Sequence, residues 1–323
     1  MSFIAKLRIL LVQALVLGAI IGLGFYVIHN TLDNLARRGI ATGFSYLGRP
    51  ASFDIGETLI AYSPADSYGR ALLAGLLNTL EIAVLGCVLA TLLGLVIGIA
   101  RLSRNWLIRH LAGAYVETLR NVPLLLQLFV WWDVLRISAP APRQAWEVFP
   151  GAFVSNRGLA FPAPSWSGEF HWDVPHLAGF NFVGGYVVTP EFAALLAGLA
   201  VYTAAFIAEI VRAGVEGVAR GQFEAARALG LKPWQILRLV ILPQARRIIL
   251  PPLIGEYQAL TKNSSLAVAI GFPELMAITN TTLNQTGQAI EAIALMMAIY
   301  LTLSLLTAFG LNWYNARTAL VER

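Results

Sequence analysis

Long runs of apolar residues, separated by shorter polar segments, recur along the chain. A helix needs about 20 consecutive apolar residues to cross the core of a bilayer. The runs predict six transmembrane helices over residues 9–28, 71–100, 115–135, 192–215, 248–272 and 289–313. The pattern therefore predicts an all-α, polytopic helical bundle in a membrane.

The composition supports this class and excludes others. Hydrophobic residues make up 57% of the 323 residues, and charged residues only 13%. A soluble domain carries roughly a quarter of charged residues, and disordered or coiled-coil chains need still more polar residues. The single cysteine, Cys87, excludes an intrachain disulfide framework.

The lysines and arginines outside the runs are unevenly distributed. They crowd the segments before the first run, between the second and third, between the fourth and fifth, and after the last. This bias predicts that both termini are cytoplasmic. The first run is longer than a usual signal-peptide core and no cleavage site follows it, so we favour an uncleaved anchor over a signal peptide.

The chain divides into two parts on this scheme. Residues 1–70 are predicted to form an N-terminal membrane anchor and a periplasmic loop, and residues 71–318 the main transmembrane domain. A periplasmic insertion is expected at about 138–190, which holds seven of the 15 prolines. Proline at that density resists long helices, so we expect a small compact cap.

Recognisable catalytic and cofactor chemistry is absent from the sequence. None of the three lysines follows the glycine of a phosphate-binding loop, and the four histidines form no metal-binding pair. We therefore predict no catalytic, cofactor-binding or metal-ligating residue on this chain. The scattered cations do not resemble a nucleic-acid-binding surface.

Two glycine pairs, Gly18–Gly22 and Gly94–Gly98, lie within predicted spans. This spacing permits close approach between helices. Because the chain has 28 glycines, we expect ordinary packing within the chain and not a dimer motif.

The polar segment between the fourth and fifth runs is the most informative. Good helix formers predict a helix from Gln222 to Leu229, and Gly230 is placed to end it in a left-handed conformation. Pro233 suits the first turn of a second helix, which Pro243 is expected to end. The segment is therefore predicted to form a helix-turn-helix that lies at the membrane surface and does not span it.

The spacing in this segment resembles the EAA motif of ABC-transporter permeases. Glu224 is followed by two alanines, then by Gly230, and finally by Leu242 and Pro243 at the expected distances. The motif has isoleucine where this chain has Val240, a conservative difference. In the family the short helix docks in a groove of the ATP-binding subunit and transmits its closure. The resemblance implies these coupling residues: Gln222, Phe223, Glu224, Ala225, Ala226, Arg227, Ala228, Leu229, Gly230, Leu231, Trp234, Leu242 and Pro243.

Three further segments narrow the family. Residues 120–127 read Arg-Asn-Val-Pro-Leu-Leu-Leu-Gln, which looks like a signature of polar amino-acid permeases of the histidine/glutamine importer type. Residues 202–214 and 262–267 are similar to two more segments of that family, and the resemblance covers about residues 72–318. The first run and the long insertion, which typical members lack, are similar to general L-amino-acid permeases, which pair two different permease chains.

The resemblance implies the permease subunit of an ATP-driven, binding-protein-dependent importer of L-amino acids, working by alternating access in the bacterial inner membrane. Its expected partners are a second, homologous but different permease chain, two ATP-binding subunits and a periplasmic amino-acid-binding protein received by residues 30–70 and 138–190. ATP and Mg are expected on the ATPase subunits only. The alternative is a stand-alone secondary transporter or channel, which discontinuous helices and internal repeats would favour.

Charges inside the predicted spans need an explanation, because each costs about 2.5–3.5 kcal/mol at the bilayer centre. Lys262 lies well inside the fifth run, and Glu209 and Arg212 are spaced to pair on one helix face. Paired acids and bases would suit a zwitterionic substrate, and structural pairing between helices explains them equally well. The candidates for a substrate pathway or gate are Arg120, Asn121, Glu209, Arg212, Lys262, Asn263, Ser264 and Ser265.

Overall fold

The computed structural model describes residues 3–37, 39, 42–166 and 170–318, most of which are helical. The helices are α1 (Phe3–Arg37), α2 (Tyr68–Arg101), α3 (Trp106–Asn121), α4 (Leu124–Asp133), α5 (Pro190–Glu216), α6 (Arg220–Ala228), α7 (Pro233–Ile236), α8 (Leu242–Asn263), α9 (Leu275–Thr286) and α10 (Ala289–Thr318). The strands are β1 (Trp146–Phe149), β2 (Ala152–Ser155), β3 (Gly158–Phe161), β4 (Ala163–Trp166), β5 (Phe170–Asp173), β6 (His176–Ala178), β7 (Asn181–Val183) and β8 (Tyr186–Val188).

Within the described residues, four helices are long and apolar enough to cross a membrane. They are Leu10–Arg37, Tyr68–Arg101, Pro190–Glu216 and Ala289–Trp313, in agreement with four of the predicted runs. A fifth candidate is a bent pair, in which the helical stretch Pro233–Ile270 meets α9 at 54°. The structure thus supports four or five crossings by length and composition, fewer than the six predicted.

The third predicted run, 115–135, is not one continuous helix. The chain leaves the helical path at Val122 and Pro123, between α3 and α4. Proline has no N–H and restricts the preceding residue to extended conformations, so the helix stops here. The buried Gln127 side chain donates to the carbonyls of Leu119 and Val122, at 2.9 Å in each case, so both carbonyls at the break are paired.

The second helix of the polar segment does not end at Pro243, contrary to the prediction. α7 begins at Pro233 as expected, continues through a π-helical turn at Leu237–Ile241, and runs directly into α8. Pro243 lies in the first turn of α8, where a missing N–H is tolerated. The wide π turn absorbs the change in hydrogen-bond register. A single helical path therefore leads from the polar segment into the bundle.

Residues 146–188 form eight short strands, so the prediction of an all-α fold is wrong for this insertion. One antiparallel sheet has the order β1-β2-β3-β8, and β4–β5 and β6–β7 are separate two-stranded hairpins. The prolines interrupt helical hydrogen bonding. Strands of three or four residues are also too short to show a clear two-residue alternation in the sequence.

α5 is the central helix of the bundle and packs against α2, α4 and α8. The core around it contains large, fully buried side chains from these helices, including Leu128, Leu195, Leu199, Ile207 and Leu260. Inside a bilayer, such side chains stabilise the bundle through close van der Waals contact.

α2 approaches α5 most closely at two glycines. A Cβ atom added at Gly94 would lie 2.7 Å from the Cβ of Ile207, and one added at Gly98 would lie 2.8 Å from the Cβ of Val211. Both positions therefore exclude any side chain. The Gly94–Gly98 pair serves packing within the chain, as expected.

The bundle has two ends, which we call the sheet end and the α6 end. α5 begins next to β8 and ends just before α6, and its 27 residues span about 40 Å. The segment before α2 folds over the sheet end, where Tyr46 and Ile55 are buried against Tyr68, Leu72 and Ile278.

Candidate functional site

The segment that joins α5 to α8 presents a short helix at the α6 end. α6 ends at Ala228, and Gly230, two residues later, has a φ of 74°, the left-handed conformation expected there. The N–H of Gly230 donates to the carbonyl of Arg227 at 2.9 Å, and the N–H of Leu231 donates to that of Ala226 at 3.2 Å. The turn between α6 and α7 is therefore held by backbone hydrogen bonds and follows the prediction closely.

The side chains of this segment divide into an exposed set and a buried set. Ala226 and Ile236 are buried within the chain. Leu229 is 80% exposed and Trp234 is 58% exposed, which is unusual for large apolar side chains. The other exposed residues among the predicted coupling set are Gln222, Phe223, Glu224, Ala225, Arg227, Ala228, Gly230, Leu242 and Pro243, and Leu231 is half-buried.

Four charged side chains form a network near the α6 end. Arg101, at the end of α2, pairs with Glu209 of α5, and Arg212 pairs with both Glu209 and Glu216. The Nε atom of Arg212 lies 3.3 Å from Oε2 of Glu209. The predicted Glu209–Arg212 pair is confirmed, and Arg101 extends it to a second helix. The network therefore joins the ends of α2 and α5.

Arg120 and Asn121 lie at the end of α3, next to the break at Pro123. The guanidinium of Arg120 lies over the ring of Phe206, 4.9 Å from its centroid, and its charge also acts on Glu256 of α8. Asn121 is exposed and donates its side-chain N–H to the carbonyl of Glu117 at 2.7 Å. Arg120 thus connects α3 to α5, and Asn121 makes a local contact.

Lys262 is exposed at the end of α8, and no acidic partner lies within salt-bridge distance in the described part of the chain. Asn263, next to it, is half-buried. The hydroxyls of Ser264 and Ser265 donate to the carbonyls of Thr261 and Lys262, at 2.7 Å each. The two serines therefore satisfy helix-end carbonyls and leave Lys262 as the exposed charge of this group.

The structure does not bring all the candidate pathway residues together. Ile249 of α8 packs against Gly214 of α5, which fixes the relative level of the two helices. A rise of about 1.5 Å per residue is counted from this contact along α8 to Lys262 and along α5 to Glu209. It places Lys262 about 12 Å nearer the sheet end than Glu209. The charge network and the Lys262 group are therefore separate features.

An apolar cavity of about 480 Å³ lies between α2, α8 and α10. Its few polar groups include the hydroxyls of Thr91 and Tyr257, which are 2.7 Å apart, and Thr261. Thr261 directly precedes Lys262 in the chain. The cavity thus reaches the helical turn that carries the exposed lysine.

A second cavity, of about 390 Å³, lies at the sheet end between the segment before α2, α5 and α9. Its lining includes the carboxylates of Asp54, Glu57 and Glu191. Burial raises the pKa of Glu57, which outweighs the lowering by the hydrogen bond from Thr189, and the charges of Glu81 and Glu191 raise it further. The three lining acids lie outside the predicted spans, so no charge within an apolar run of the sequence pointed to them.

Glu274 is a further buried acid that the sequence analysis missed. It is fully buried in the bend between the helical stretch ending at Ile270 and α9. Its carboxylate accepts hydrogen bonds from the N–H groups of Met276 and Ala277, at 2.7 and 2.8 Å, and from the hydroxyl of Tyr300 at 3.0 Å. Glu274 therefore caps α9 and connects it to α10. An acidic residue just before an apolar helix was the available signal.

Comparison with known proteins gives one family. Residues 86–319 match the family described as binding-protein-dependent transport system inner membrane component. The chain is 44% identical to YhdX of Escherichia coli strain K12, named as an amino-acid ABC transporter permease protein, over 98% of this chain and 95% of that protein. It is also 44% identical to the general L-amino acid transport system permease protein AapQ of Rhizobium johnstonii, over 98% of this chain and 94% of that protein.

A solved structure shares the fold. The crystal structure of an amino acid ABC transporter with histidines contains a chain that is 27% identical to this one, with a TM-score of 0.58. The match covers 77% of this chain and 95% of that chain.

Proposed function

Because the chain belongs to the family of binding-protein-dependent transport system inner membrane components, we propose that its helix α6 couples ATP hydrolysis on partner subunits to the movement of an amino acid across the membrane. The chain is the permease subunit of an amino-acid ABC importer, a multi-pass protein of the inner membrane and not an enzyme.

The exposed helix α6 is the observation that carries the coupling role. It lies outside the bundle and presents small side chains, and two large exposed apolar residues lie close to it, Leu229 directly after its end and Trp234 in α7. Helices recognised in grooves are bound through such apolar anchors. Residues 222–231, with Trp234, Leu242 and Pro243, would seat in an ATP-binding subunit.

The continuous helical path from α7 into α8 gives a route by which a movement of α6 would reach the bundle. When the ATP-binding subunits close, a push on α6 would pass through the π turn at Leu237–Ile241 into α8. α8 carries Lys262 at its far end, so a movement of the surface helix would change the position of this lysine. Beyond the turn that joins α6 to α7, the motion would therefore travel along one continuous helical path.

The same proposal fixes the orientation and the partners. The α6 end and both termini face the cytoplasm, since the cations of the chain concentrate there. The broken pair α3–α4 forms a sixth crossing. Residues 1–70 form the anchor and a periplasmic loop, and residues 71–318 form the permease domain. The partners are a homologous but different permease chain, two ATP-binding subunits that hold ATP and Mg, and an amino-acid-binding protein received by residues 30–70 and 138–190.

Lys262 is the proposed substrate-facing charge, and its replacement provides a test. In Lys262→Met, uptake should fall about tenfold, which corresponds to ~1.4 kcal/mol of lost interaction with a substrate carboxylate. Binding-protein-stimulated ATPase activity and the amount in the membrane should stay normal, because the exposed side chain makes no described contact with α6. Lys262→Arg, which keeps the charge, should retain most uptake. Normal uptake by Lys262→Met in proteoliposomes would remove this role.

The assembly is tested by purifying the tagged chain from native membranes in a mild detergent. We expect P-loop ATPase subunits and a second permease chain to co-purify. The broken helices α3–α4 and α8–α9, which the sequence analysis did not find, are a feature shared with secondary transporters. Uptake by this chain alone in liposomes, without any ATPase subunit, would therefore overturn the coupling proposal in favour of that class.

A further inference from the structure

The hairpin β4–β5 of the insertion has one wholly uncharged face. Trp166 pairs with Phe170 across the hairpin, and Pro164 pairs with Trp172. Paired residues, and residues two apart on a strand, point to the same side of a sheet. Pro164, Trp166, Phe170 and Trp172 therefore lie together on one face, which we call the aromatic face.

The aromatic face is exposed, and its rings contact one another. Trp166 is 77% exposed, Trp172 59% and Phe170 53%. The ring centroids of Trp166 and Phe170 are 6.2 Å apart, and those of Phe170 and Trp172 are 5.7 Å apart in an edge-to-face arrangement. Contiguous exposed apolar surface of this kind marks a contact with a partner or a membrane.

The opposite face of the hairpin is polar and connects to the rest of the insertion. It carries Ser165 and Asp173, and the Asp173 carboxylate accepts a hydrogen bond from the N–H of Gly185 at 2.8 Å. The hairpin is therefore inverted relative to a soluble protein, in which the apolar face of a sheet is covered and the polar face meets water.

The position of the hairpin keeps it near the bilayer. Leu159 and Phe161 of β3 pack against the core cluster that contains Phe192 in the first turn of α5. Only Pro162 separates β3 from β4. A four-residue strand extends about 13 Å, so the aromatic face cannot lie far from the membrane end of α5.

We propose that the aromatic face of β4–β5 lies in the interfacial layer of the bilayer and anchors the insertion to the membrane beside α5. Tryptophan is the residue that is enriched at this layer, because its ring is apolar and its N–H can still reach polar headgroups. A protein partner would be recognised partly by charge complementarity, and this face carries no charge. The bilayer is also the one partner that a chain with membrane-spanning helices always meets.

The proposal can be tested by fluorescence quenching in the complete transporter. Trp166→Cys, in a Cys87→Ser background, is labelled with bimane and reconstituted into phosphatidylethanolamine and phosphatidylglycerol vesicles. Some of the lipid carries a nitroxide near its headgroup. Ser165→Cys, on the opposite face of the same strand, is the matched control. The lipid quencher should reduce the emission at position 166 about twofold more than at position 165, and aqueous iodide should show the opposite preference.

Two outcomes would overturn the proposal. Equal quenching by the lipid nitroxide at positions 165 and 166 would show that the face is not in the bilayer. Protection of position 166 from iodide only after the binding protein is added would assign the face to that protein. Trp172→Cys, on the same face, gives an independent reading if the variant at position 166 does not fold.

Discussion

Replacing Ala225 with leucine should reduce amino-acid uptake about tenfold while the permease chain stays as stable as wild type. Ala225 is exposed on α6. A larger side chain therefore costs little within this subunit. It would hold an ATP-binding subunit away from α6, with a loss of docking energy of ~1.4 kcal/mol or more. The measurement is uptake and binding-protein-stimulated ATPase activity in proteoliposomes, with the membrane content of each subunit determined in parallel.

The neighbouring residue provides the matched control. Ala226 is only 4% exposed and packs inside the chain, so Ala226→Leu should overfill that site at a cost of about 1–3 kcal/mol. This variant should lose both uptake and thermal stability, whereas Ala225→Leu should lose uptake alone. If Ala225→Leu transports and stimulates ATPase activity normally, α6 does not make the proposed contact.

Glu274→Ala should cause a large loss of stability. The substitution removes the cap of α9, worth about 1 kcal/mol, and leaves the Tyr300 hydroxyl without this acceptor in a buried site, which costs about 1–3 kcal/mol more. We expect a clearly lower melting temperature of the purified complex and less chain in the membrane, measured by fluorescence-detected chromatography after heating.

Two milder variants separate the contributions at this site. Glu274→Gln keeps an oxygen that can accept from Met276 or Ala277, so it should retain most of the stability. Tyr300→Phe removes the hydrogen bond from the Tyr300 hydroxyl to Glu274 but keeps the carboxylate that caps α9, and it should cost about 1 kcal/mol. A melting temperature of Glu274→Ala equal to that of wild type would show that the carboxylate does not hold the bend.

The apolar runs predicted the long helices well because their signal depends on composition alone. Four of the runs correspond to helices long enough to cross a membrane. The turn at Gly230 was also predictable, since few residues other than glycine adopt its positive φ at low cost. These features depend on local sequence, and the structure agrees with them.

Features that depend on where a side chain reaches or on the structural context of a residue were not predicted. The break at Pro123 lies in an apolar run and is made tolerable by Gln127, whose role depends on where its side chain reaches. Pro243 was misread because a proline ends a helix in one context and begins one in another. The three hydrogen bonds of Glu274 come from two helices, which no local pattern specifies.

The same limit applies to the candidate site. Glu209 and Arg212 were predicted to pair because they share a helix face, and they do. Their connection to Arg101 depends on how α2 and α5 pack, so it appears only in the structure. Lys262 was singled out by its position in an apolar run, but its exposure and the local bonds of the two serines could not be predicted from spacing.

The close packing of α5 on α2 also has a consequence for biosynthesis. Among the four candidate spans, α5 is the least hydropathic and the most buried, with 61% of its apolar window inside the protein, against 33% for α2. Because α2 is made before α5 and has the highest mean hydropathy of the four, it can enter the bilayer without help from α5. α5 emerges from the ribosome only after the whole insertion has been made, and it then finds the surface at Gly94 and Gly98 already in place. Late arrival of the central helix means that a chain truncated before residue 190 should be inserted but not folded.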